Sequence, residues 1–327
     1  MLILRKLTKN PLIAAPIYNA SARHFTTPNP NPNSTPIPSS AQYDDLINAA
    51  GRRRDFSAVR SLLADRLRNG CLNTNNTFNF IAVDVSVLDD LLHSLADLDD
   101  WFTRKHAHDA LVAQLAKLHR AAAALRVAEA MVRKSYGATA ATFLPILNAL
   151  AKRKEMSAAW RVVEVMRESK IQPVLTAFNY ILTAYCYVGD VAEAVDAVVR
   201  MEAEGLRADA RTYDALVLGA CRAGKVEAAV AVMRRMEEDG VTALFSTHAH
   251  VIKEMVSCGY YAQAVEFVRI FAGRDEKLDS ENFGFLANRL KNVKRITEAE
   301  LVVEEMVKRG LSIGDGLKNL SSNLHVK

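Results

Sequence analysis

Within residues 175–209, apolar side chains fall at Phe178, Ile181, Leu182 and Tyr185, the i, i+3, i+4, i+7 spacing of one helix face. The polar break Val188-Gly189-Asp190 ends that helix. Asp190, with Glu193 three residues on, has the form of an N-terminal capping pair for a second helix. Val191, Ala194, Val195 and Val198 then repeat the apolar spacing, and Gly205 closes the unit. The pattern predicts two amphipathic helices of about 12 residues joined by a tight turn, each too short to stand alone in water.

The same pattern recurs. VAEAVDAVVRMEAEGLRAD at 191–209 returns 35 residues later as VEAAVAVMRRMEEDGVTAL at 226–244. Met131, Met166, Met201, Met236 and Met306 share one phase of this period, with Phe271 in the remaining slot. Ala124, Ala159, Ala194, Ala229, Ala264 and Ala299 share another. Phe143, Phe178, Tyr213 and Phe283 share a third, where His108 and His248 also stand. Six units therefore begin at 105, 140, 175, 210, 245 and 280. Each hairpin has an apolar face that only its neighbours can cover, so the period predicts an all-α solenoid with one continuous core and a long concave surface. The recurring Ala predicts close helix contacts, and Gly205, Gly240 and Gly310 predict left-handed helix caps.

Composition changes the picture mainly at the N-terminus. Half of the 327 residues are hydrophobic and only 7% are aromatic, as expected of a helical protein. Seven of the nine prolines lie between Pro11 and Pro38. The Pro- and Asn-rich stretch 26–39 reads as a disordered linker. Residues 1–25 carry Arg5, Lys6, Lys9 and Arg23 and no acid, the composition of an organelle transit peptide. The run Arg23-His24-Phe25 favours the mitochondrion and its matrix. Residues 1–43 hold four of the basic residues and no acidic one, so the net charge of +5 falls to +1 without them. Any basic stripe must then come from local placement. The four cysteines form no C-x-x-C pair, no metal site is indicated, and no apolar run is long enough to insert in a bilayer. His106-x-His108 and His248-x-His250 read as packing residues because His108 and His248 fill aromatic slots. No Gly-rich phosphate loop, H-E-x-x-H motif or other catalytic constellation appears, so the sequence argues against an enzyme and calls for no cofactor.

The pieces TAFNYIL, YCYVGD, AEAV, VVRMEAEGLRAD, RTYDAL, CRAGKVEAA, MRRMEEDGV and ESKIQPV resemble the pentatricopeptide repeat family, P class, of the plant mitochondrial type. Two divergent units precede them at 40–104, six regular ones fill 105–314, and 315–327 is left as a tail. The resemblance covers about 275 of the 327 residues. It implies a right-handed superhelix whose partner is single-stranded organellar RNA, with one repeat addressing one base. Carried over by position, the base-reading candidates are Asp44, Asn79, Asp109, Asn179 with Asp209, Asp214, and Asp279. Leu144 and Gly284 stand in the same slot without a polar group. Asn179/Asp209 resembles the family's uracil-preferring pair. The phosphate-contact candidates at the ends of first helices are Arg52, Lys117, Lys152 and Arg222. The resemblance implies an RNA-binding adaptor in transcript stabilisation, processing or translation. The alternative is a protein-binding scaffold, or a component associated with the mitochondrial ribosome or RNA-processing proteins.

Overall fold

The computed structural model describes residues 37–322. The expected transit peptide and most of the linker lie outside the described residues. Among these there are sixteen α-helices and two short 3-10 helices, and no strand.

Most of the helices come in consecutive pairs. The first unit is α1 (Ser40–Arg52) and α2 (Phe56–Arg68). The regular units are α4 (Trp101–Lys117) with α5 (Ala121–Arg133), α6 (Ala140–Lys152) with α7 (Met156–Glu168), and α8 (Leu175–Val188) with α9 (Val191–Ala203). They continue with α10 (Ala210–Arg222) and α11 (Val226–Glu238), α12 (Phe245–Ser257) and α13 (Tyr261–Ile270), and α14 (Glu276–Asn292) and α15 (Ile296–Lys308). Local chemistry sets these ends. Asp55, Asp190 and Asp209 each accept a backbone N–H of the first turn of the helix they precede. Gly205 and Gly240 close α9 and α11 at φ 74° and 70°, a conformation that needs no Cβ.

Between α1–α2 and α4 the pattern departs from the regular unit. Its first helix shrinks to a 3-10 turn, Asn79–Ala82, followed by the nine-residue α3 (Leu88–Ala96). The cause is local. Val83, Val85 and Val87 are β-branched, and Asp84 accepts the Ser86 N–H at 2.9 Å, offering the backbone an alternative to a helical turn. Phe78, Phe80 and Ile81 nevertheless bury fully, so the unit fills its place in the stack.

Stacking is by first helices. From α4 through α6, α8, α10 and α12 to α14, each packs directly on the next, whereas the second helices touch chiefly the first helices beside them. The first-helix layer is thus the more tightly packed. All six phase-sharing alanines are buried, and so are Met131, Met166, Met201, Met236 and Met306 of the other phase. Gly219 of α10 marks one close approach, since a Cβ there would lie 2.9 Å from Cys186 Sγ of α8. The core forms two clusters, from Ile47 to Ala215 and from Val217 to Leu320, so α10 belongs to both. After the last hairpin, a 3-10 turn (Asp315–Leu317) and α16 (Lys318–Ser322) bury Leu317 and Leu320 against it.

Candidate nucleic-acid interface

The expected pair of the 175–209 unit is assembled. Asn179 lies in the second turn of α8, and Asp209 is the N-cap of α10. Asn179 Nδ2 donates to Asp209 Oδ1 at 3.0 Å. The Thr212 hydroxyl lies 2.8 Å from Asn179 Oδ1, and the Thr212 N–H donates to Asp209 Oδ1 at 2.9 Å. Burial works against ionisation of Asp209. The backbone N–H and hydroxyl of Thr212, with the Asn179 amide, outweigh it and hold the carboxyl below its ordinary value.

This contact is one of a series. Thr77 donates to Asp44 Oδ1 at 2.9 Å, Thr142 to Asp109 Oδ1 at 2.7 Å, and Thr247 to Asp214 Oδ1 at 2.8 Å. In each case the threonine stands 33 residues after its acceptor, at the start of the next hairpin, and is buried. Where Leu144 replaces the acceptor, the threonine is replaced by Ala177. At Ala249 the matching residue is Asn282, whose buried Oδ1 has no partner.

The remaining atoms of these acceptors differ from unit to unit. Asp44 forms a buried ion pair with Arg66, Nη1 to Oδ1 at 2.7 Å, and its other oxygen accepts Thr74 Oγ1. Asp109 Oδ2 is tied to Lys105 Nζ at 2.5 Å. Asp214 gathers Ser246 and Thr247 on Oδ1, with His250 Nε2 at 3.8 Å. Burial opposes ionisation of Asp214 too, but His250, Ser246 and Thr247 hold its carboxyl below the ordinary value.

Asn79 and Asp279 lie outside the series. Asn79 sits in the 3-10 turn, where its Oδ1 accepts Gln114 Nε2 at 2.9 Å. Arg104 lies inside α4, because Asp100 caps that helix five residues before position 105. Arg104 instead donates to the Leu98 carbonyl at 2.7 Å. Asp279 is likewise drawn inside a helix, since Asp275 caps α14 early. Its Oδ2 accepts the Gly273 N–H at 2.7 Å, closing the preceding loop.

Arg52, Lys117, Lys152 and Arg222 are all exposed and end α1, α4, α6 and α10. Lys117 Nζ reaches the Asn75 carbonyl at 3.4 Å. The Arg222 guanidinium lies 4.4 Å from the ring centroid of exposed Tyr187, with Lys154 Nζ 5.6 Å from the same ring. Lys154 holds φ 61° where the next two units carry Gly189 and Gly224. His108 and His248 are buried against Tyr136 and against Phe267 and Phe271, respectively. Among the described residues no cluster of three or more His, Cys, Asp or Glu could hold a metal, and no helix is long and apolar enough to cross a membrane.

Two curated proteins of Arabidopsis thaliana, both named mitochondrial pentatricopeptide repeat-containing proteins, are similar over most of their length. One is 64% identical over 280 residues, covering 85% of this chain and 80% of its own. The other is 48% identical over 309 residues, covering 92% and 88%. The chain is a pentatricopeptide repeat protein. A family model described as the pentacotripeptide-repeat region of PRORP matches residues 107–263 of it. Among solved structures, the pentatricopeptide repeat protein PPR10 from maize is similar at 16% identity with a TM-score of 0.39. That match covers 84% of this chain and 45% of the maize protein, so the chain spans less than half of its length.

In this pentatricopeptide repeat protein the threonine series is the feature that position-by-position reading missed. Its signal is present in the sequence, as Thr77, Thr142, Thr212 and Thr247 at an offset two short of the period.

Proposed function

We infer that the chain binds single-stranded RNA in mitochondria without a catalytic step. It acts as an adaptor that shields a transcript, keeps it unpaired or delivers it to processing or translation. The observation that carries this reading is the Asn179–Asp209 pair, hydrogen-bonded on the first-helix layer where flanking first helices end in Lys152 and Arg222. An amide and a carboxylate together offer donors and acceptors to a base edge. The cations add sequence-independent attraction to phosphates. The mitochondrial names of the two relatives and the acid-free basic N-terminus support the location. Base reading is concentrated in the 175–209 and 210–244 units, because Asp44 and Asp109 already neutralise Arg66 and Lys105.

The same ties favour a second reading, a scaffold for protein partners such as ribosomal or RNA-processing components, in which the RNA is held loosely. Binding of a mixed-sequence single-stranded RNA by the full chain at several salt concentrations separates the two. Lys117→Glu, Lys152→Glu and Arg222→Glu together should weaken binding to every sequence and lower the slope of log affinity against log salt by about 2, at roughly 0.7 per phosphate. Binding indifferent to salt and to these changes overturns the RNA reading. No affinity at low salt, with recovery of the chain in a stable protein complex, favours the scaffold.

A further inference from the structure

We propose that Thr212 sets the base preference of the 175–209 unit by fixing the orientation of the Asn179 amide, so that the group offered to RNA is an N–H donor that selects uracil over cytosine. The proposal rests on the RNA reading above and adds to it a positioning residue that lies in the next hairpin.

An asparagine amide rotated by half a turn exchanges its donor and acceptor, so its neighbours must decide which edge it shows. Here two do. The Asp209 carboxylate only accepts, which requires Nδ2 on its side. The Thr212 oxygen already accepts the Asp209 N–H at 3.2 Å, as half of the capping box of α10. Its single hydrogen is therefore left to donate, and Asn179 Oδ1 lies 2.8 Å away. Asp209 Oδ1, 2.9 Å from the same hydroxyl, already takes the Thr212 N–H and the Asn179 Nδ2 hydrogen. Thr212 is fully buried and Asn179 is 6% exposed, so water does not compete freely for these groups. One of the two Nδ2 hydrogens goes to Asp209, and the second has no protein acceptor among the described residues.

A fixed N–H donor matches a carbonyl oxygen, which uracil carries at the position where cytosine carries an amino group. Without the threonine hydroxyl the amide keeps Asp209 but loses the donor that holds its oxygen. Asp214 shows the same device with a different outcome. Thr247 and Ser246 both donate to Oδ1, and the group that remains, a carboxylate oxygen, is an acceptor. In these two units the hairpin after the reading residue thus determines which of its atoms is spent and which is offered.

The test is selection from a randomised single-stranded RNA pool by the full chain, followed by sequencing of the bound fraction. The wild type should enrich uridine over cytidine at one position. Thr212→Val, which keeps shape and burial, should reduce that uridine-to-cytidine ratio about fivefold, the worth of one hydrogen bond. Thr212→Ser should restore it. Thr142→Val is the matched control. It removes the equivalent hydroxyl from a capping box and from Asp109, whose other oxygen Lys105 holds, so it should lower thermal stability comparably and leave the ratio unchanged. A wild type that binds no RNA, or enriches no position, overturns the underlying reading. A wild type that prefers uridine, with Thr212→Val preferring it equally or Thr142→Val losing it to the same degree, overturns the role of Thr212.

Discussion

His108 and His248 stand where other units carry Phe or Tyr, and burial makes each behave as a neutral aromatic. Burial is the main cause that lowers both from the ordinary histidine value, against the Arg104 and Leu244 carbonyls that raise them. A base whose folded value is lowered contributes stability that is whole above the unfolded value of about 6.5 and is lost as pH falls toward the folded one. The protein should therefore lose urea resistance between pH 7 and pH 5. His248→Phe, which fits the same slot beside Phe267 and Phe271, should reduce that loss. Equal losses in variant and wild type would show that His248 is not the group responding. The role of His248 was legible because its phase coincides with Phe143, Phe178 and Phe283. That of Arg66 was not. It stands between Asp65 and Leu67 on α2, and only the fold brings Asp44 and Thr77 around its guanidinium.

At the scale of elements, one glycine carries a packing decision. Gly51 lies near the end of α1, and a Cβ there would fall 2.4 Å from the Phe80 ring, far inside contact distance. Alanine is favoured over glycine in a helix by about 1 kcal/mol. Here overpacking outweighs that preference, because Phe80 is itself buried beneath neighbouring helices. Gly51→Ala should lower stability by about 1–3 kcal/mol, read as a reduced denaturation midpoint at unchanged slope. A midpoint at or above the wild-type value would mean that the ring swings aside. The regular hairpins were readable because their period repeats the same apolar face. The early starts of α4 and α14 were not, since Asp100 and Asp275 compete as caps with the residues the period places at the boundary. Those shifts draw Arg104 inside α4 and turn Asp279 into a loop closure.

The molecule as a whole is a chain of nearest-neighbour contacts, and stability in such arrays is local. Its C-terminal end is covered by Leu317 and Leu320. Replacing both with Ser should raise amide hydrogen exchange in α14 and α15 and leave α4 to α8 unchanged. A uniform rise along the array would show one cooperative unit spanning both core clusters. The solenoid plan was evident from the period alone, whereas the division of the core at α10 depends on how individual side chains meet across it.

If the proposed function holds, the ties on Asp44 and Asp109 limit how much information the chain would extract from a transcript. With two of its polar readers committed to Arg66 and Lys105, the discriminating word under the proposed function shortens to the two bases met by adjacent units. A two-letter word recurs about every 16 nucleotides when one repeat reads one base. Such an address is too common to single out one message. The chain would then survey many transcripts, or act on one only where another molecule or a free end has already brought it close.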